Sequence, residues 1–463
     1  MEKKAESKVG MDLTQGSVFR VLFVFAVPII LTSLVQQVYS MVDLIVIGRY
    51  MGSEGTVGVS VGGEMADLVA PAANAFASAG QIYIAQLCGF GGRGKKELSE
   101  VIGTLLSMLL ILALLFMGVT IFGRDALLRL LNCPEEALRS AGNYMLITAL
   151  GFPFIFGYNG LCSILRGLGE SQKPLLFICV ASVINVAADI VFVFGFRMGT
   201  AGTALATIMS QAVSFLMALG YLYRHRHDEF SFDFRVKYFM IKPRLAVQLL
   251  KLSLPTLLKT CLVHTSMIWV NSNINAYSLT ASATNSIGNK IQRFVELFVQ
   301  GTDVASGTII GQNLGAGRHD RARDTVLYTL RFSLTIATIA TFAFLVFPRQ
   351  LFWLFTTDPA VVELGVLYLH ITILTVYLSA VTSSFQSMVT GSGFVLLNFA
   401  LGILDGVVSR IGFNLLFLYI FDQGVVSFFL GTAFSRSLTA AVVIVYFFSG
   451  RWRSRKLVIS ETR

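Results

Sequence analysis

The chain has 463 residues, of which 55% are hydrophobic and only 13% charged, against about 25% charged in a soluble domain. Its apolar blocks run roughly 20 to 25 residues, the length of an α-helix crossing about 30 Å of hydrocarbon, and the short alternating segments of a β-barrel are missing. The net charge of +10 sits in loops rather than on a basic helix with interleaved aromatics, which excludes nucleic acid as a partner and reads as a positive-inside signal.

From the N-terminus, residues 1–16 are polar, with Lys3, Lys4 and Lys8. The apolar stretch that follows has no small-residue cleavage site, so the segment reads as cytoplasmic and not as a signal peptide. Twelve apolar segments come next, at approximately 18–48, 57–87, 98–122, 140–165, 174–196, 200–223, 246–273, 280–312, 325–347, 363–388, 394–420 and 424–449. The first, second, seventh and eighth are longer than a crossing requires, which allows tilt or bending. Pro28 lies well inside the first and Pro255 near the start of the seventh; each removes a backbone hydrogen bond and invites a kink.

Placing the N-terminus inside puts about 23 Lys and Arg residues in cytoplasmic loops and about 6 outside. The expected organisation is a cytoplasmic segment 1–16, an N-lobe of six helices 17–223, a cytoplasmic linker 224–244, a C-lobe of six helices 245–450 and a cytoplasmic tail 451–463, in the inner (plasma) membrane. The halves echo one another. FAVPIILTSL from Phe25 matches LSLPTLLKTC from Leu252, IAQLCGFGGRGKKEL from Ile84 matches IGQNLGAGRHDRARD from Ile310, and RGLGES from Arg166 matches TGSGFV from Thr390. All three share an offset of about 224 to 227 residues, a parallel repeat of six spans. The fold class is therefore an all-α membrane protein, twelve transmembrane helices in two pseudo-symmetric six-helix bundles.

A charge at the bilayer centre costs at least about 2.5 to 3.5 kcal/mol, so each one needs a reason. In the N-terminal half Gln36, Tyr39 and Asp43 share one face of the first span, and Asn185 and Asp189 one face of the fifth. No Lys or Arg lies deep in spans one to six. A carboxylate without a salt-bridge partner can load and release a proton, or ligate Na⁺ together with amide and hydroxyl oxygens such as those of Asn159 and Thr207; the plainer alternative is that these groups join helices. The C-terminal half carries Lys259, His264, Glu296, Asp303, Asp405, Arg410 and Arg436 within its spans. At 1.5 Å per residue Lys259 and Asp303 come out at similar depth, roughly 15 to 20 Å from the cytoplasmic face, as do Asp405 and Arg436, so these are expected to pair.

Enzyme signatures are weak. Gly58-Val59-Ser60-Val61-Gly62 fits G-x-S-x-G, but it opens a membrane span instead of joining a strand to a helix. There is no P-loop, H-E-x-x-H or Rossmann glycine pattern, and the five cysteines lack metal-ligand spacing. The chain is thus expected to be no enzyme and to hold no cofactor or metal.

With Pro28 followed by Gln36, Tyr39, Asp43 and VDLIVIGR, the glutamines Gln86 and Gln312 before Gly-rich turns, RGLGESQKP, and Asn185 with Asp189 ahead of the turn at 199–202, the chain resembles the multidrug and toxic compound extrusion (MATE) family and its DinF-like branch. The resemblance runs from about Ser17 to Gly450. It implies that Pro28, Gln36, Tyr39, Asp43, Asn159, Asn185, Asp189 and Thr207 form an N-lobe cavity where proton or cation binding bends the first helix and releases drug. One departure stands out: another branch keeps a glutamate in span seven and an aspartate in span ten for a C-lobe Na⁺ site, and neither span has an acidic residue at its middle here. The resulting expectation is a proton- or Na⁺-coupled antiporter, a monomer in the lipid bilayer, exporting small organic, often cationic, compounds by alternating access. The alternative is a flippase for a lipid-linked sugar or cell-wall precursor.

Overall fold

The computed structural model describes residues 10–91, 95–227, 232–421 and 423–459, and among them it contains helices and no strands. In hydrocarbon every backbone N–H and C=O must be satisfied within its own segment, which leaves the helix as the economical answer for these apolar runs. They are α1 (Val18–Gly89), α2 (Lys95–Leu130), α3 (Leu138–Leu150), α4 (Phe152–Gly167), α5 (Gln172–Asp189), α6 (Thr200–Arg224), α7 (Pro243–Asn275), α8 (Leu279–Gly315), α9 (His319–Val346), α10 (Pro348–Trp353), α11 (Pro359–Gly391), α12 (Val395–Ile403), α13 (Arg410–Phe421), α14 (Val425–Phe434) and α15 (Ser437–Phe448).

Several of these combine or divide to give twelve spans. The 72 residues of α1 would reach about 108 Å, more than three hydrocarbon cores. Gly52, at φ 63° and ψ −141°, breaks the helix and separates the first two spans. Helices α3 and α4 meet at a 50° bend, so the stretch read from sequence as one span at 140–165 is two helices; Pro153, in the first turn of α4, cannot continue the hydrogen-bond ladder of α3. A π-helical segment, Ile190–Gly195, extends α5, and another, Leu404–Ser409, joins α12 to α13. Pro28 and Pro255 both lie inside helices, in α1 and α7. Chain reversals repeat as well: glycines with positive φ at 91, 169 and 199 recur at 317, 393 and 424, an offset of about 225 residues.

The chain divides into two compact units. The N-terminal unit holds Leu31–Ser253 together with the residues up to Asp12. There the segment after α6 lies on α2: Ser99 Oγ accepts from Asp233 N at 3.0 Å, Ser107 Oγ donates to Phe239 O at 2.7 Å, and Phe232 and Tyr238 are buried. The backbone comes so close that a Cβ on Gly103 would meet Tyr238 O at 1.9 Å. The outer side of α2 carries Leu110, Ile111, Leu114, Leu115 and Phe122 exposed, as a lipid-facing surface should.

The C-terminal unit holds Leu254–Glu461 and the chain from Leu13 to Ile30, so the start of α1 groups with the second half of the sequence. Leu13 N donates to Gln312 Oε1 at 3.3 Å, Asn313 Nδ2 to Leu13 O at 3.2 Å, and Arg321 Nη1 to Gly16 O at 2.7 Å. Gln312, one of the repeated glutamines, thus satisfies a backbone donor at the α8 end. Helix α8 packs most extensively on α11 and then on α9, with a core around Phe352, Tyr368, Leu369 and Phe428.

Candidate functional site

Two polar constructions occupy the interior, one in each unit. In the N-terminal unit α1 presents Asp43, 6% exposed, and the last turn of α5 presents Asn185 and Asp189, both 0% exposed. Their carboxyl groups lie side by side, with the Thr207 hydroxyl against Asp43. Thr207 Oγ1 itself donates to Thr203 O at 3.0 Å. Asp43 Oδ1, both oxygens of Asp189 and both amide atoms of Asn185 are buried without a hydrogen-bond partner. The ion pairs of the described residues all lie elsewhere, so neither aspartate has a cationic neighbour within 4.0 Å.

Local structure explains the meeting. Asp189 ends α5 where the backbone widens into the π turn Ile190–Gly195, and such widenings recur where a side chain must be re-aimed. Around them Ile47, Val59, Val193 and Ala204 form an apolar shell with Tyr144. Tyr39 OH accepts from Gln211 Nε2 at 3.3 Å, and the Tyr144 hydroxyl stands beside Thr207. Gln211 and Tyr144 were not among the residues expected from sequence. Gln211 could have been found, since it follows Thr207 by one helical turn in an apolar span; a tyrosine such as Tyr144 carries no comparable signal.

Of the expected residues, Asp43, Asp189, Thr207 and Asn185 come together. Tyr39 is one turn from Asp43 on α1. Gln36, half-buried, lies a further turn back, its backbone carbonyl accepting from Ser40 Oγ at 3.0 Å. Asn159 is half-buried on α4 and makes no hydrogen bond to Asp189, whose two oxygens have no partner among the described residues. Pro28 belongs to the stretch Leu13–Ile30, which groups with the C-terminal unit.

In the C-terminal unit the pairing differs from the sequence expectation. Lys259 lies within electrostatic reach of Asp303, as expected, but its Nζ donates to Asn398 Oδ1 at 3.2 Å, its stem crosses Gly402, and Asp303 Oδ1 is buried without a hydrogen-bond partner. Asp405 pairs with Arg410, at 3.5 Å, and not with Arg436. Arg436 instead reaches Glu296 at 3.5 Å. Depth along the membrane normal says nothing about rotation around a helix. The π turn containing Asp405 brings positions five apart onto one face, and Arg410 takes that place.

Comparison with known proteins follows the same division. The MatE family profile matches residues 28–191 and again 255–416, once in each half. Two proteins of Bacillus subtilis are similar over most of their length. "Probable multidrug resistance protein YpnP" is 29% identical over 96% of this chain and 98% of its own, and "Probable multidrug resistance protein YoeA" 29% identical over 86% of each. Among solved structures, that described as "Outward-facing conformation of a multidrug resistance MATE family transporter of the MOP superfamily" superposes with a TM-score of 0.89 at 21% identity, covering 98% of this chain and 99% of that one. At such identity it speaks for the fold alone. With twelve spans, an internal repeat and a profile that matches both halves, the chain is a multi-pass membrane protein that belongs to the MatE family, a family of transporters and not of enzymes.

Proposed function

We propose that this chain is a proton-coupled antiporter that exports small organic, often cationic, compounds by alternating access, with Asp43 and Asp189 as the coupling site. The observation that carries the reading is the pair itself, two carboxyls side by side in an apolar interior with no cation in range. Two such groups cannot both stay ionised unaccompanied; they keep a proton between them or hold a monovalent cation such as Na⁺. The unpartnered oxygen of Asn185, with that of Thr207, would complete such a cation's shell. The names of the Bacillus relatives support drugs as the cargo.

Loading and unloading this pair changes the local charge by one, which shifts the balance between conformers of α1 that differ in how the carboxyls are exposed. Pro28 gives that helix a point of low bending resistance, and Gln36 with Tyr39 offers the substrate polar contacts one and two turns from Asp43. The lobes of this reading are 17–223 and 245–450, joined by 224–244, with segment 1–16 and tail 451–463 on the cytoplasmic side of the inner membrane and a monomer as the working unit. Ser231, a labelling position for that topology, lies outside the described residues.

A pH-dye assay in inverted vesicles tests the proposal. Added organic cations should dissipate a preformed proton gradient, equally with and without Na⁺. Dissipation that requires Na⁺ would move the coupling ion to Na⁺, and none at all, with the protein present, would favour a flippase.

A further inference from the structure

The C-terminal unit holds a partly open cavity of about 260 Å³ between α7, α8, α11, α13 and α14, roughly the volume of nine waters. Its lining is unlike the carboxyl pair of the other unit. Arg410, Arg436 and Arg293 face it, against the single carboxylate Glu296. Asp405, the counter-ion of Arg410, is not among the lining residues. Positive charge is therefore in surplus on these walls, where a low dielectric makes it count.

Neither the buried guanidinium of Arg410 nor the half-buried one of Arg436 is saturated. Arg410 is 3% exposed, reaches Asp405 only at 3.5 Å, and keeps its Nε buried without a partner. Arg436 gives one nitrogen to the Ser379 hydroxyl and holds Glu296 at 3.5 Å. Charge-assisted bonds of this type close to about 2.7 to 2.9 Å when satisfied. Glu296 also accepts from Gln292 Nε2 at 3.0 Å, on the same Oε1 that faces Arg436, so the one carboxylate on these walls is shared and leaves the guanidinium charge in excess. The Thr432 hydroxyl, on the same wall, is buried without a partner. Phe429, Val270 and Met267 supply an apolar surface beside these donors.

We propose that this cavity is an anion-selecting site that takes a small organic carboxylate, its two oxygens forked by Arg410 with help from Arg436 and Thr432, and its carbon body against Phe429. A planar guanidinium fits a carboxylate through two parallel bonds, which a lysine cannot imitate. The apolar wall favours an organic anion over inorganic phosphate. The site lies within the C-terminal unit, so its occupancy does not depend on ion coupling at Asp43 and Asp189; the chain would carry sites of opposite sign in its two units.

The purified full chain in detergent, titrated with benzoate by calorimetry and by thermal stability, tests this, with inorganic phosphate and tetramethylammonium as comparators. Benzoate should bind and raise the melting temperature, while tetramethylammonium should not. Glu296→Gln should tighten benzoate several-fold by releasing Arg436, a gain that misfolding cannot produce. Arg410→Lys should weaken it roughly tenfold or more, and Thr432→Val several-fold; if Arg410→Lys or Glu296→Gln fails to fold, Thr432→Val decides. Asp43→Asn should leave binding unchanged. Absence of benzoate binding, or binding indifferent to all three cavity variants, overturns the proposal. So does tetramethylammonium binding that Glu296→Gln removes, and phosphate bound as tightly as benzoate overturns the assignment to organic carboxylates.

Discussion

Arg410 takes its counter-ion from Asp405, five residues earlier in the same span, at 3.5 Å. The pair is deep, with side chains 4% and 14% exposed, so removing one member strands the other in a medium that cannot solvate it. Asp405→Asn should cost on the order of 3 kcal/mol, seen as a lower melting temperature in detergent. A melting temperature equal to that of the wild type would mean that Arg410 is held by its other surroundings.

A second expectation concerns the segment after α6. Because a Cβ on Gly103 would meet Tyr238 O at 1.9 Å, Gly103→Val should lift residues 232–242 from α2 and speed trypsin cleavage after Arg235 and Lys237, whose side chains are already exposed. Limited proteolysis in native membranes reads this directly. Unchanged cleavage would show that the segment is not held through this contact.

Asn185 supports a third. Its amide has no hydrogen-bond partner although the residue is fully buried, so Asn185→Ala sacrifices no bond and should leave stability within about 1 kcal/mol of the wild type. Exchange should slow several-fold while remaining driven by protons alone. If instead the variant raises the Na⁺ concentration needed for transport, the amide oxygen is a Na⁺ ligand and the coupling ion is Na⁺.

These residues also show what a sequence can and cannot reveal here. The spans were legible because a membrane forces each crossing into a long apolar run, and the repeat was legible because the same turns recur about 225 residues apart. Asp43 and Asp189 were legible as carboxylates in spans that hold no Lys or Arg at depth. The bend between Leu150 and Phe152 was not, since hydropathy is blind to direction, though Gly151 and Pro153 mark it in retrospect. Asp405 was matched to Arg436 and not to Arg410 because depth was the only coordinate available; the π turn at Leu404–Ser409 decides which face Asp405 occupies, and no residue pattern announces it. Helix α8 was read as an apolar segment at 280–312; its polar residues Asn285, Asn289, Gln292 and Glu296 turn to a cavity within the C-terminal unit.

Pro28 gives a fourth expectation. It sits inside α1 and leaves one carbonyl of the preceding turn without its usual donor. Pro28→Ala should restore that bond, stiffen the helix and reduce exchange several-fold, with equilibrium drug binding altered less than transport. Parallel transport and binding measurements on the same preparation check it, and equal losses in both would place Pro28 in the binding surface instead.

The account rests most heavily on Asp43 and Asp189, and proton-driven dye efflux of Asp43→Asn and Asp189→Asn at matched protein levels tests it most directly. An asparagine is neutral at every pH and cannot cycle a proton, while removing an uncompensated buried charge should not harm the fold. Each variant is expected to be present in the membrane at wild-type amounts and to have lost efflux. Efflux at the wild-type rate in both variants would contradict the coupling site.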